Sequence, residues 1–396
     1  MWMIVPIADS SLNRRMRMVS LRYAPNSSSV LAFHGVQRAF VSSQTVDRLS
    51  LRARTYCSSP HPASYTAYAF IEKEGKLQKI DVQWKDPQAG EIVVKVLACG
   101  VCASDEIVQE QPWPTGLPRV PGHEIIGDII AVSPAEKLWK VGQRIGSGWH
   151  GGHCFVCNSC RSGDFMVCEK EGINGIFTDG GYAEYVTLRS EACANIPDDL
   201  DPAEAAPLLC AGITTFNALR NMSVEPPEYV AVQGIGGLGH LGLQFARHMG
   251  FRTVALSSSS AKEELSRSLG AHEYIDGSKV DQGKALSALG GAKVILCTAP
   301  NPHAIETLIP GLAVDGQLVL LALAWENFSF PRVAALISKR LSLRGWPSGT
   351  AKDSEDCVTF AKAHGIKCMV ERFPLDKAQE AFDRRSSARF RAVIIP

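Results

Sequence analysis

The sequence predicts an α/β chain in which a β-rich unit is followed by a doubly wound parallel sheet. Three observations predict it. Between Ala67 and about Ile196, the short β-branched runs Val93–Leu97, Ile125–Val132 and Tyr185–Leu188 are bounded by Gly, Pro or charge. Such punctuation suits a compact β-barrel-like unit better than a parallel sheet. After Pro202, strand-like and helical segments alternate, the rhythm of βαβ units. Within that second region a glycine-rich turn, residues 234–239, joins a strand to a helix. The 396 residues, 45% of them apolar, are enough for two or three units at roughly 150 residues per domain.

Residues 1–62 stand apart. They hold eight Arg, no Lys, no Glu and only two acids, Asp9 and Asp47, among many serines. That composition resembles an organelle transit peptide, and Arg54 precedes a segment like a mitochondrial processing site. Two readings follow: a presequence, which implies the mitochondrial matrix, or a disordered tail or over-extended gene model, which implies the cytoplasm. Either way the extension is excluded from the fold.

The β-rich unit is expected over residues 63–211, the parallel-sheet unit over 212–343, and a return to the first unit over 344–396. Expected strands of the second unit are Tyr229–Gln233, Arg252–Leu256, Ala292–Cys297, Gln317–Leu323 and Leu341–Arg344, with helices over Leu238–Met249, Lys262–Leu269 and Ala304–Ile309. The last segment contributes a helix, Asp353–Ala363, and a strand, Ala392–Ile395. Lys+Arg 41 against Asp+Glu 40 leaves no electrostatic footprint for nucleic acid or an anionic membrane. No apolar run approaches the ~18 residues of a spanning helix.

The glycine turn carries the first chemistry. Gly234-Ile-Gly236-Gly237-Leu238-Gly239 is a G-x-G-x-x-G between a strand and an amphipathic helix, the context of a Rossmann dinucleotide site. Gly234 permits the tight turn, Gly236 lets backbone approach a pyrophosphate, and Gly239 lets helix and sheet pack. The helix amino-terminus offers N–H donors to phosphate. An NAD site normally ends the next strand with Asp or Glu. Here Ser257-Ser258-Ser-Ser260-Ala-Lys262 follows it, with no acid before Glu263. Hydroxyls and the Lys262 ammonium suit a 2′-phosphate, so NADP(H) is the preferred cofactor, with NAD(H) use as the competitor.

Twelve cysteines supply the second lead. Cys154-x-x-Cys157-x-x-Cys160-x7-Cys168 can close a tetrahedral four-thiolate site, the pattern of structural zinc. Bacterial iron–sulfur runs end differently. Cys102, His123 and Cys210 are dispersed, and spacing alone does not gather them; each taken singly also suits a core or loop position.

Cys102-Ala-Ser-Asp105, Gly122-His-Glu124, the four-cysteine run, Leu209-Cys-Ala-Gly-Ile-Thr214 and the glycine fingerprint, in this order, resemble the zinc-dependent medium-chain alcohol dehydrogenases, and most of all their cinnamyl-alcohol-dehydrogenase-like branch. The resemblance runs from about Thr66 to Pro396. It implies a GroES-like catalytic domain interrupted in sequence by the Rossmann domain. It also implies that Cys102, His123 and Cys210 bind a catalytic zinc, giving two Zn2+ per chain. Asp105 would orient His123, Glu124 would be an occasional alternative ligand, and Ser104 would hydrogen-bond the reacting oxygen. Thr214 would contact the nicotinamide, Arg391 would reach the pyrophosphate, and Trp113 and Trp149 would line the substrate pocket. Two departures stand out: Ala103 removes a phosphate contact, and Ile107 replaces a proton-relay histidine.

The implied reaction is hydride transfer between a primary alcohol or aldehyde and NAD(P)(H) in a homo-oligomer, dimer or tetramer. A zinc-independent quinone or enoyl reductase is the alternative enzyme. A zinc-ribbon binding module is the non-enzyme alternative, and Cys154–Lys170 carries too few bases for it: Arg161 and Lys170 against Asp164 and Glu169.

Overall fold

The computed structural model describes residues 56–57, 61–329 and 333–396. The expected extension, and with it the transit-peptide reading, therefore lies outside the described residues except for Tyr56, Cys57, His61 and Pro62.

Among the described residues, eight strands form the first sheet. Its path runs Cys193–Asn195, Arg144–Ser147, Ile125–Val132, Glu91–Gly100, Arg391–Ile395 and Val370–Pro374, with Tyr56–Cys57 and Tyr185–Arg189 paired off it. The inward positions of Ile125–Val132 and Glu91–Gly100 fill a core with Phe70, Tyr182, Leu188 and Phe382. The chain's final strand lies antiparallel to Glu91–Gly100, with Val393 opposite Gly100 and Ile394 opposite Cys99. The carboxy-terminal segment thus returns to the sheet that the β-rich half began.

Six parallel strands form the second sheet in the order Glu273–Asp276, Arg252–Ser257, Tyr229–Gln233, Ala292–Cys297, Leu312–Leu320 and Ser342–Gly345. By position in the chain this is 3-2-1-4-5-6, the Rossmann order, with its crevice where the order reverses beside Tyr229–Gln233. Both faces are covered, as a parallel sheet requires. Val230, Val232, Val294 and Leu296 pack on one side with Leu241, Phe245 and Phe216. Ala231, Ile295 and Cys297 pack on the other with Leu286 and Leu308. The first of these cores also contains Ile126, Leu209, Phe390 and Val393, so apolar packing is continuous from the parallel sheet to the first sheet.

Several elements differ from expectation at their ends. The fifth parallel strand starts at Leu312, because Ala292 pairs there before the register shifts, and it ends at Leu320 rather than Leu323. The helix expected over Ala304–Ile309 is Pro302–Glu306, capped by the Asn301 side chain, and a separate 3-10 turn begins at Ile309 where Pro310 interrupts it. The helix expected over Asp353–Ala363 is longer, Ala351–His364, because Thr350 and Asp353 form a capping box and Gly365 closes the other end at φ +65°.

Candidate active site

Each candidate ligand of the dispersed set sits at the end of an element. Cys102 follows strand Glu91–Gly100 and precedes the 3-10 turn Ala103–Asp105. His123 enters strand Ile125–Val132 behind Gly122, whose φ of +102° only glycine adopts without strain. Cys210 immediately precedes helix Ala211–Asn221. Donor atoms of Cys102, His123, Glu124 and Cys210 all lie within 4.8 Å of one another, and all four residues are buried.

The donor set fits zinc. The Cys102 and Cys210 Sγ atoms are 3.9 Å apart, and two thiolates on a tetrahedral ion at ~2.3 Å would be separated by about 3.8 Å. His123 Nδ1 lies 3.0 Å from Asp105 Oδ1 as an ion-pair contact, and neither buried ring nitrogen makes an aligned hydrogen bond among the described residues. A buried imidazole without an aligned partner beside two thiols is a donor set that fits a metal ion. The two thiols share their acidity unequally. Contact with Cys210, then Arg391 and His123, pulls Cys102 well below the usual thiol range, whereas Cys210 beside that thiolate is pushed well above it. Burial opposes charge on His123, but Asp105 and Cys102 outweigh it and raise the imidazole to about 10.

Ser104 is half-buried, and its Oγ donates to Cys102 Sγ at 3.1 Å. Ile107 is buried in the apolar core and offers no proton path. Glu124 is fully buried and ion-paired to Arg391, whose Nε donates to Oε2 at 3.2 Å while Nη2 meets Oε1. Burial raises the Glu124 carboxyl to about 7 against the pull of Arg391. A Cβ on Gly237 would sit 3.0 Å from Arg391 Nη1, so the same guanidinium touches both the ligand cluster and the glycine fingerprint.

The fingerprint has the geometry its glycines predict. Gly234 has φ +85°, and a Cβ on Gly239 would lie 1.8 Å from the Gly234 carbonyl oxygen. A Cβ on Gly236 would enter open space, the cradle a pyrophosphate needs. Ser257 ends its strand buried, and Ser258 and Lys262 follow it exposed, with Lys262 Nζ donating to the Ile235 carbonyl at 2.7 Å. Thr214 is buried on the helix that starts after Cys210. His240 is held by Gly236 O and stacked on Phe390; burial lowers it to about 4, so it is a neutral packing residue.

Cys154, Cys157, Cys160 and Cys168 converge in one loop, with Sγ pairs 154–160 at 4.0 Å and 157–168 at 3.9 Å. Backbone N–H groups of Cys157, Cys160 and Lys170 donate to Cys154, Cys157 and Cys168 Sγ. Donation from the Cys160 and Glu169 amides lowers Cys157 to about 6, the thiolate state a metal takes. His150 and His153 are paired at 3.0 Å, and His150 Nδ1 lies 3.2 Å from Glu171 Oε1. Cys99, Cys193, Cys297, Cys357 and Cys368 are buried free thiols.

Trp149 meets the His123 ring edge-on at 5.1 Å. Trp113 is stacked 6.4 Å from Phe177 and edge-on to Trp325 at 5.8 Å. Phe177 and Trp325 are exposed, and sequence reasoning missed them. Trp325 follows the fifth parallel strand, so rings from both halves meet at this rim, a juxtaposition with no local sequence signal.

Two family descriptions match the chain: an alcohol dehydrogenase GroES-like domain over residues 88–198 and a zinc-binding dehydrogenase over residues 237–363. An alcohol dehydrogenase, patD, of Penicillium expansum is 50% identical over 339 residues, covering 85% of this chain and 99% of its own. The aldehyde reductase AdhA of Synechocystis is 33% identical, covering 83% and 98%. Among solved structures, a cinnamyl alcohol dehydrogenase of Sorghum bicolor superposes with a TM-score of 0.77 at 27% identity, covering 84% and 97%.

Proposed function

The chain belongs to the zinc-binding alcohol dehydrogenases with a GroES-like domain, and from this membership we propose that it interconverts a primary alcohol and its aldehyde, with NADP(H) preferred over NAD(H) and two zinc ions per chain. The observation that carries the proposal is the buried Cys102, His123 and Cys210 cluster with its unpartnered imidazole nitrogens, linked through Glu124 and Arg391 to the dinucleotide fingerprint.

When bound, zinc supplies Lewis acidity toward an alcohol or carbonyl oxygen, and the nicotinamide supplies or accepts the hydride. Cys102, His123 and Cys210 would hold the metal, and Asp105, whose Oδ1 lies 3.0 Å from His123 Nδ1, would steady the imidazole ring. Ser104 takes the alcohol proton and passes it to water or a cofactor hydroxyl, because Ile107 leaves no imidazole at the next station. Thr214 would border the nicotinamide, and Trp149 and Trp113 would exclude water and favour an apolar carbon chain or ring. The four-cysteine lobe would hold the second, structural zinc. By analogy with the family the chain works as a homo-oligomer. No helix among the described residues is long and apolar enough to cross a membrane. We assign it to the mitochondrial matrix if the extension is a presequence and otherwise to the cytoplasm.

The test is reduction of an aliphatic and aromatic aldehyde panel with NADPH and with NADH, with metal measured on the same sample. Two zincs per chain and faster NADPH-dependent reduction are expected; absence of metal would favour the quinone reductase reading. Lys262→Ala sharpens the cofactor claim. A charge-assisted contact is worth about 1.5–3 kcal/mol, so kcat/KM for NADPH should fall about 10- to 100-fold. The NADH value should change less than about threefold. Equal losses would place Lys262 outside the 2′-phosphate site.

A further inference from the structure

Asp105 is the group that orients His123, and the structure shows what orients Asp105. Its Oδ2 accepts from the Cys102 N–H at 2.9 Å and from the Tyr182 hydroxyl at 2.9 Å, which turns Oδ1 toward His123 Nδ1, an ion-pair contact at 3.0 Å. Tyr182 is fully buried, in a fold where a buried phenol needs a reason to be there. Its main chain is held as firmly as its side chain. The Tyr182 N–H donates to the Pro121 carbonyl at 3.1 Å, and its carbonyl accepts from Tyr68 N–H at 2.8 Å. Neighbouring amides of Gly180 and Gly181 donate to Val120 and Gly122. The Tyr182 ring lies against the turn that delivers His123, so closely that a Cβ on Gly122 would be 2.5 Å from Cδ1.

We propose that Tyr182 is a positioning residue of the catalytic metal site. Its hydroxyl fixes the Asp105 carboxylate, and its ring and backbone fix the Pro121–Gly122 turn, so one residue sets both the tilt of the His123 ring and the path of its main chain. The inference rests on the proposed metal-binding role of Cys102, His123 and Cys210. It adds a link that neither the ligand motifs nor their spacing contains.

Tyr182→Phe removes the hydroxyl and keeps the ring. Loss of an outer partner of a metal ligand typically costs 10- to 100-fold in metal affinity. Expected, therefore, is a 10- to 100-fold fall in Zn2+ affinity at the three-ligand site, read by competition with a chromogenic chelator. The four-cysteine metal and the melting temperature stay near wild type, and kcat falls with KM for NADPH unchanged. In an Asp105→Asn background the further Tyr182→Phe change should add less than about twofold, since the hydroxyl acts through that carboxylate. Three outcomes overturn the proposal: unchanged affinity in Tyr182→Phe, loss of both metals with an early melt, or a full additional loss in the Asp105→Asn background. Failure of the underlying reading looks different, because the wild type itself would then hold no metal on Cys102, His123 and Cys210.

Discussion

Cys102→Ser is expected to lower kcat in both directions by about 10³-fold or more while leaving a folded protein that binds NADPH. The loss follows from the donor set. Cys102 Sγ lies 3.9 Å from Cys210 Sγ in a buried cluster, and a serine oxygen is a harder, shorter ligand that a site built for thiolate does not accommodate. Removing metal assistance costs several kcal/mol of transition-state stabilisation, and each 1.36 kcal/mol is tenfold in rate. Folding should survive, because the features that hold this turn in place are main-chain ones. The Cys102 N–H still donates to Asp105 Oδ2, and strand Glu91–Gly100 keeps its pairs on both sides. The fingerprint contains no atom of Cys102, so dinucleotide affinity read by nucleotide fluorescence should stay within about threefold. Metal content should fall from two ions per chain to one. A kcat within tenfold of wild type would remove Cys102 from the ligand set.

The sequence already carried the features of the fold that depend on neighbours in the chain. Strands Tyr229–Gln233, Ala292–Cys297 and Ile125–Val132 are apolar runs cut by polar or glycine boundaries, and they appear where predicted. Strand Glu273–Asp276 was not legible: it is four residues long with acids at both ends, and only pairing with Arg252–Ser257 makes it a strand. Helix Ala211–Asn221 was hidden for the opposite reason. Nine of its eleven residues are buried, so it has no polar face to mark a helical period. At the site, the four-cysteine loop could be read outright because its ligands are near neighbours. Cys102, His123 and Cys210 could not, since three separate element ends must meet, and a resemblance was needed to group them. Tyr182, Phe177 and Trp325 escaped even that, because their roles exist only as contacts across the fold.

That difference in ligand grammar predicts opposite phenotypes for the same change. Cys157→Ser should leave chemistry nearly intact and cost stability. The loop from Cys154 to Cys168 has little core of its own: Phe155, Val156 and Val167 are exposed at 55%, 73% and 53%. Its regular structure is one short helix, Asn158–Arg161, and one 3-10 turn, Phe165–Val167. Phe155 is also held at φ +62°, a conformation a bulky residue adopts only under constraint. With so few apolar contacts, the amide-to-sulfur hydrogen bonds and the ion must supply the order, and structural zinc contributes to folding directly. Losing about 4 kcal/mol from a unit near 340 residues corresponds to a fall of about 6 °C in Tm, at ~2.1 cal/mol/K per residue. Differential scanning calorimetry with and without chelator checks it. The wild type with chelator should melt near the variant, and kcat at 25 °C should stay within about threefold. Limited proteolysis should cut the variant first between Cys154 and Cys168, because local order there no longer has a metal to hold it. An unchanged Tm with two ions still bound would mean that the three remaining thiolates suffice, and that Cys157 is dispensable to a site its spacing makes complete.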